Sequence, residues 1–164
     1  MEKITSLIHQ LKNRSLPDHL SHLTFKQGEV FSWDHNACAI TYNSSTPRAS
    51  IYLLHEFGHA LLGHRLFNVD IDLIKMERQA WDKAKQLAPD YGIDIPEDVV
   101  ESNLNTYRDW LHSRSLCPTC NATGVQIANK EYSCVSCASS WAVNEARTCL
   151  LRRHIIKNAP NERF

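Results

Sequence analysis

A chain of 164 residues is long enough for one modest catalytic domain and a small accessory module, and too short for two full-sized domains. Lys plus Arg and Asp plus Glu each number 18, which excludes a bulk polyelectrolyte, and the 43% hydrophobic and 22% charged fractions are ordinary for a globular protein. Met1-Glu2-Lys3-Ile4 does not open a signal peptide, and no apolar run nears membrane-spanning length, so the expectation is a cytoplasmic protein.

Ile4, Leu7, Ile8 and Leu11 recur at helical spacing and predict an amphipathic helix over 3–15, ended by Pro17. Leu23–Phe25, Val30–Trp33 and Ala37–Tyr42 have strand character and predict a small antiparallel sheet. Thr46-Pro47 reads as a helix start, with Thr46 as N-cap and Pro47 at the first helical position; Gly63 is placed to stop that helix. The segment between is apolar nearly all round, so it should be buried. A second helix is predicted over 71–88, with Ile74, Glu77, Trp81, Ala84 and Ala88 on its inner stripe. A third opens at Pro96-Glu97 and aligns Val100, Leu104, Tyr107 and Leu111. Near Ser113 cysteine pairs and short alternating stretches replace helical periodicity, which divides the chain into 1–112 and 113–164. Val143–Lys157 suits a short basic helix.

His55-Glu56-Phe57-Gly58-His59 lies on the buried helix. Histidines four apart share one helical face and can bind one Zn²⁺ through two nitrogens. Glu56 follows the first histidine and can lean toward the open position of such a metal, where it acts as general base on a water whose pKa falls toward about 7. A catalytic zinc needs a third protein ligand. His64, Asp70, Asp72, Glu77 and Asp82 are the downstream candidates. Asp72 and Asp82 lie five residues either side of Glu77 and turn to the opposite face, which leaves Glu77 as the acid on the core stripe. His64 falls five residues after His59, out of frame for a three-histidine HExxHxxGxxH site, and suits a helix cap or cleft lining. Gly58 and Ala80 offer small surfaces for close helix packing.

HEFGHALLGH followed by Glu77-Arg78-Gln79-Ala80-Trp81 resembles the gluzincin metallopeptidases, and within them the ImmA/IrrE and minigluzincin groups. The resemblance covers about residues 20–90. It implies an α+β zincin-like domain: a short antiparallel sheet, an active-site helix, a glutamate helix and a further helix. It also implies endopeptidase activity on a protein or peptide substrate, with His55, His59 and Glu77 on a catalytic zinc, Glu56 as base, and Ala37–Tyr42 as the edge strand that aligns the substrate. The family's transition-state stabiliser has no matching position; Tyr107 and His112 are the nearest candidates, against their readings as a core tyrosine and a surface histidine.

Cys117-x-x-Cys120 and Cys134-x-x-Cys137 have the spacing of a four-cysteine zinc ribbon around a hairpin at Gly124–Tyr132. Four thiolates close the coordination sphere, so this second Zn²⁺ is structural. From Ser113 onward Arg114, Lys130, Arg147, Arg152, Arg153, Lys157 and Arg163 face only Glu131, Glu145 and Glu162. Arg147, Arg152, Arg153 and Lys157 beside Trp141 would suit a nucleic-acid partner, or equally a solvated face; a protein partner fits a ribbon as well. Cys38 and Cys149 read as buried small hydrophobes. Two other functions fit HExxH with a ribbon. One is a SprT-like protease acting on DNA-bound proteins, from which Glu77 departs because that family uses a third histidine. The other is a non-catalytic regulatory or DNA-binding module.

Overall fold

The computed structural model describes residues 2–147 and 149–157, with Glu2, Lys3 and Lys157 described by backbone alone. The architecture is mixed α+β with four α-helices and two small sheets. Contacts divide the chain into two compact units. One comprises residues up to Leu66 with Lys75–Glu101, and the other Phe67–Ile74 with the chain from Ser102 onward. The change of sequence character at Ser113 therefore does not coincide with the change in packing. The physical reason lies within the second unit, where Asp70 and Arg114 form a buried ion pair and Trp110 Nε1 donates to Glu145 O at 2.8 Å.

In the first unit, helix α1 (Glu2–Lys12) buries Ile4, Leu7 and Leu11. Strands β1 (Thr24–Gln27), β2 (Ser32–Asp34) and β3 (Ala39–Tyr42) follow. The sheet order is β1-β3-β2, with β1 parallel and β2 antiparallel to β3. The predicted sheet is thus present but mixed, and β3 is its centre. An edge role for Ala37–Tyr42 is ruled out because both sides of β3 are already paired.

Helix α2 (Ala49–Leu61) starts later than Thr46-Pro47 predicts. Its N-cap is Arg48, at φ +60, and Thr46 O accepts from Ala49 N–H in the preceding turn instead. The helix buries Ile51, Leu53, Leu54, Phe57 and Ala60, matching its all-round apolar sequence. Helix α3 (Asp70–Leu87) buries Glu77, Trp81 and Ala84 on the predicted stripe and passes into a short 3₁₀ turn, Ala88–Tyr91. Where α2 meets α3, a Cβ on Gly58 would lie 2.6 Å from Ala80 O. Only glycine permits that approach. Helix α4 (Glu97–Ser115) buries Val100, Leu104 and Trp110.

The second unit carries the sheet β4 (Val125–Ala128), β5 (Glu131–Ser133), β6 (Ser140–Val143) and β7 (Arg153–Lys157), antiparallel in that order. The basic helix expected over Val143–Lys157 is instead the end of β6, a connection and β7. Trp141 pairs with Ile155 across the ladder, a long-range partner that outweighs local pattern. Cys117, Tyr132, Cys134, Trp141 and Val143 form the small core of this sheet. No described helix is long and apolar enough to cross a membrane.

Candidate metal centres

The first cluster depends on two helices held close at Gly58 and Ala80. Residues 55 and 59 project from one face of α2, and Glu77 meets them from the buried stripe of α3. All three are less than a tenth exposed, at 6%, 8% and 5%. His55 Nε2 lies 3.1 Å from Glu77 Oε2, His59 Nε2 3.5 Å from the same oxygen, and the two Nε2 atoms are 3.2 Å apart. A tetrahedral ion with ligand bonds of about 2.0–2.1 Å has edges of about 3.3–3.4 Å, so this triangle fits three corners of one coordination sphere. Three buried donors with a common focus can hold a metal ion, and their chemistry is consistent with zinc.

Electrostatics agree with that grouping. Burial alone would raise the Glu77 carboxyl, but its polar contacts with the His55 and His59 rings outweigh that and hold the group far below the usual carboxylate range. Glu56 behaves oppositely. Desolvation pushes its carboxyl up, against the opposing influence of the two imidazoles, and the backbone N–H of Trp33 donates to it. Two carboxylates on neighbouring elements thus have environments that push their protonation apart.

The remaining candidates lie elsewhere. Asp70 is buried in the second unit, accepting from Arg114 Nε at 2.5 Å, Arg114 Nη2 at 3.2 Å and the Tyr132 hydroxyl. Asp82 is exposed and paired with Arg78, while Asp72 is half-buried outside the cluster. His64 directs Nδ1 to His59 Nδ1 at 2.9 Å, the ring nitrogen opposite the one that meets Glu77. Tyr107 lies under the Arg147 guanidinium at 4.2 Å and His112 is exposed; both belong to the second unit, whereas the His–Glu cluster belongs to the first. Sequence reasoning missed Trp33, whose backbone binds Glu56 and whose Nε1 donates to His64 O at 3.0 Å. Its aromatic strand position carries no local mark of that role.

The second cluster joins Cys117, Cys120, Cys134 and Cys137. Its two turns are built alike. Asn121 N–H donates to Cys117 O at 2.9 Å and Ala138 N–H to Cys134 O at 3.0 Å, with Asn121 and Ala138 at φ +60 and +59. Cys117 and Cys137 sulfurs are 3.7 Å apart and those of Cys120 and Cys134 3.5 Å, near the roughly 3.8 Å edge of a tetrahedron with Zn–S of about 2.3 Å. Ser139, beside Cys137 Sγ at 3.4 Å, helps hold that thiol down to about 6, and backbone N–H groups lower Cys134. Against the Ala122 backbone, the neighbouring Cys134 and Cys137 sulfurs push Cys120 up to about 12, so the four sulfurs share their protons unevenly. Cys38 is half-buried and Cys149 exposed, so neither is the buried hydrophobe expected, Cys149 because it lies in the connection before β7. Trp141 is fully buried in the sheet core and is unavailable to a partner.

No family model, no curated protein and no solved structure matches this chain.

Proposed function

We infer that the chain is a zinc-dependent endopeptidase whose catalytic centre is His55, His59 and Glu77 with Glu56. The observation that carries the reading is the triangle of Nε2, Nε2 and Oε2 atoms beside a carboxylate raised by desolvation. His55, His59 and Glu77 would hold the zinc ion, which when bound would serve as a Lewis acid toward a peptide carbonyl and a water, with the water's pKa lowered toward about 7. Glu56 would take the proton from the attacking water and return it to the leaving amine, and its desolvation favours the protonated form between the two transfers. The Trp33 N–H steadies that carboxylate. The outer strand beside Glu56 is β2, so a substrate backbone would align along Ser32–Asp34 rather than along Ala39–Tyr42.

The carboxylate third donor supports the glutamate-ligand type over the SprT-like, three-histidine one. The four-cysteine cluster is read as a structural zinc ribbon that stabilises its unit and offers a surface to a protein partner. Support for a nucleic-acid partner is reduced. Trp141 is core, Arg147 covers Tyr107, Arg153 Nη1 donates to Leu116 O, and the Lys157 side chain and Arg163 lie outside what is described. The test is cleavage of an unfolded protein substrate by zinc-loaded protein, read by mass spectrometry of new termini. Glu56→Gln should keep both zincs and lose about 10²–10⁴-fold in rate. Equal cleavage by the variant would refute the mechanism.

A further inference from the structure

The end of α2 determines where the ring of His64 goes. Gly63 takes φ +63, its N–H donates to Ala60 O at 3.0 Å, and His64 N–H donates to His59 O at 3.1 Å. These are the paired bonds of a Schellman motif, which folds the second residue past the cap back over the residue three positions inside the helix end. Those two positions here are His64 and His59. Trp33 Nε1 donates to His64 O and holds the turn from the strand side. The result is a contact of 2.9 Å between the two Nδ1 atoms, while His64 Nε2 lies 3.2 Å from Gln79 Oε1.

Only one proton order satisfies this chain together with an available His59 Nε2. An imidazole that offers the Nε2 lone pair carries its proton on Nδ1. His59 Nδ1–H therefore donates to His64 Nδ1. That leaves the His64 proton on Nε2, which donates to Gln79 Oε1. The reverse order would put a proton on His59 Nε2, in the middle of the donor triangle. Gln79 stands two residues after Glu77 on α3, so the relay links a donor on one helix to the helix that supplies the third. His55 is held differently. Its Nδ1 is buried with no hydrogen-bond partner among the described residues, and its ring stacks on Trp81 at 4.2 Å with 26° between planes.

We propose that His64 and Gln79 are positioning residues that fix the tautomer and ring orientation of His59 for metal binding. The proposal rests on the zinc reading of the His55–His59–Glu77 cluster and adds to it two residues that touch neither metal nor substrate. Outer partners of this kind typically account for about 10–100-fold in metal affinity.

The test is zinc affinity of the full chain, measured by competition with a chromophoric chelator, with the cysteine-bound equivalent as internal reference. His64→Ala and Gln79→Leu should each weaken one of two zinc equivalents about 10–100-fold and leave the other unchanged. Gln79→Glu keeps an acceptor oxygen and should hold wild-type affinity or exceed it, a rescue that packing alone would not give. Unchanged affinity in His64→Ala, or equal losses in Gln79→Glu and Gln79→Leu, overturns the relay while wild type still binds two zincs. A wild-type chain that binds a single equivalent overturns the zinc reading itself and the relay with it.

Discussion

The His55–His59–Glu77 cluster takes three donors from two buried helices, whereas the cysteine cluster takes four from two short turns. The helical donors are set by packing. They converge because Gly58 lets the Ala80 carbonyl approach and because Trp81 stacks on His55. The turn donors are set by local hydrogen bonds, and beside them stands the small core of Tyr132, Trp141 and Val143. A centre built by packing can leave a coordination position open without losing its shape. One that helps to build its own surroundings needs its sphere closed.

That contrast predicts opposite responses to disruption. The largest effect belongs to the cysteines. Apparent zinc binding free energies in small structural sites are about 10–16 kcal/mol and act as folding free energy, so Cys134→Ser should unfold the β4–β7 sheet. Loss of strand signals by NMR, with the resonances of Tyr132 and Trp141 collapsing together, would report it. A sheet that stays folded without metal would erase the distinction between the two centres.

A smaller effect is expected at Gly58. The added methyl of Gly58→Ala meets backbone rather than a yielding side chain, and overpacking of this kind costs about 1–3 kcal/mol. Because α3 must move away, Glu77 should retreat from the histidines, and one zinc equivalent should weaken while the cysteine-bound one does not. Calorimetry together with metal titration checks both parts. The smallest change concerns Ala138, which holds φ +59 without the freedom of glycine. Ala138→Gly should raise the stability of the second unit by about 1 kcal/mol, since the left-handed conformation costs an L-residue roughly 1–2 kcal/mol and glycine returns part of that as unfolded-state entropy. Denaturant titration would show it as a shifted midpoint.

Much of the first centre was legible in the sequence because helical spacing is a local property. His55 and His59 four apart, Glu77 on a stripe with Trp81, and the small pair Gly58 and Ala80 all follow from one period. The cysteine spacing was legible for the same reason. What escaped depended on partners distant in the chain. The parallel pairing of β1 with β3 removes the expected edge strand, and β7 exists through its pairing with β6. Asp70 finds Arg114 forty-four residues away, which takes it out of the ligand candidates. His64 is the instructive case. Its offset from His59 excludes it from a three-histidine frame, and Gly63 marks only a helix stop in the sequence, yet the geometry of that stop places the two rings in contact.

Whether two imidazoles and one carboxylate share a metal ion is answered by anomalous diffraction at the zinc edge from crystals of the zinc-loaded protein. Two peaks are expected, one among the four cysteine sulfurs and one bonded to His55 Nε2, His59 Nε2 and Glu77 at about 2.0–2.2 Å. A single peak at the cysteines, with the His–Glu triangle empty at saturating zinc, would contradict the shared site.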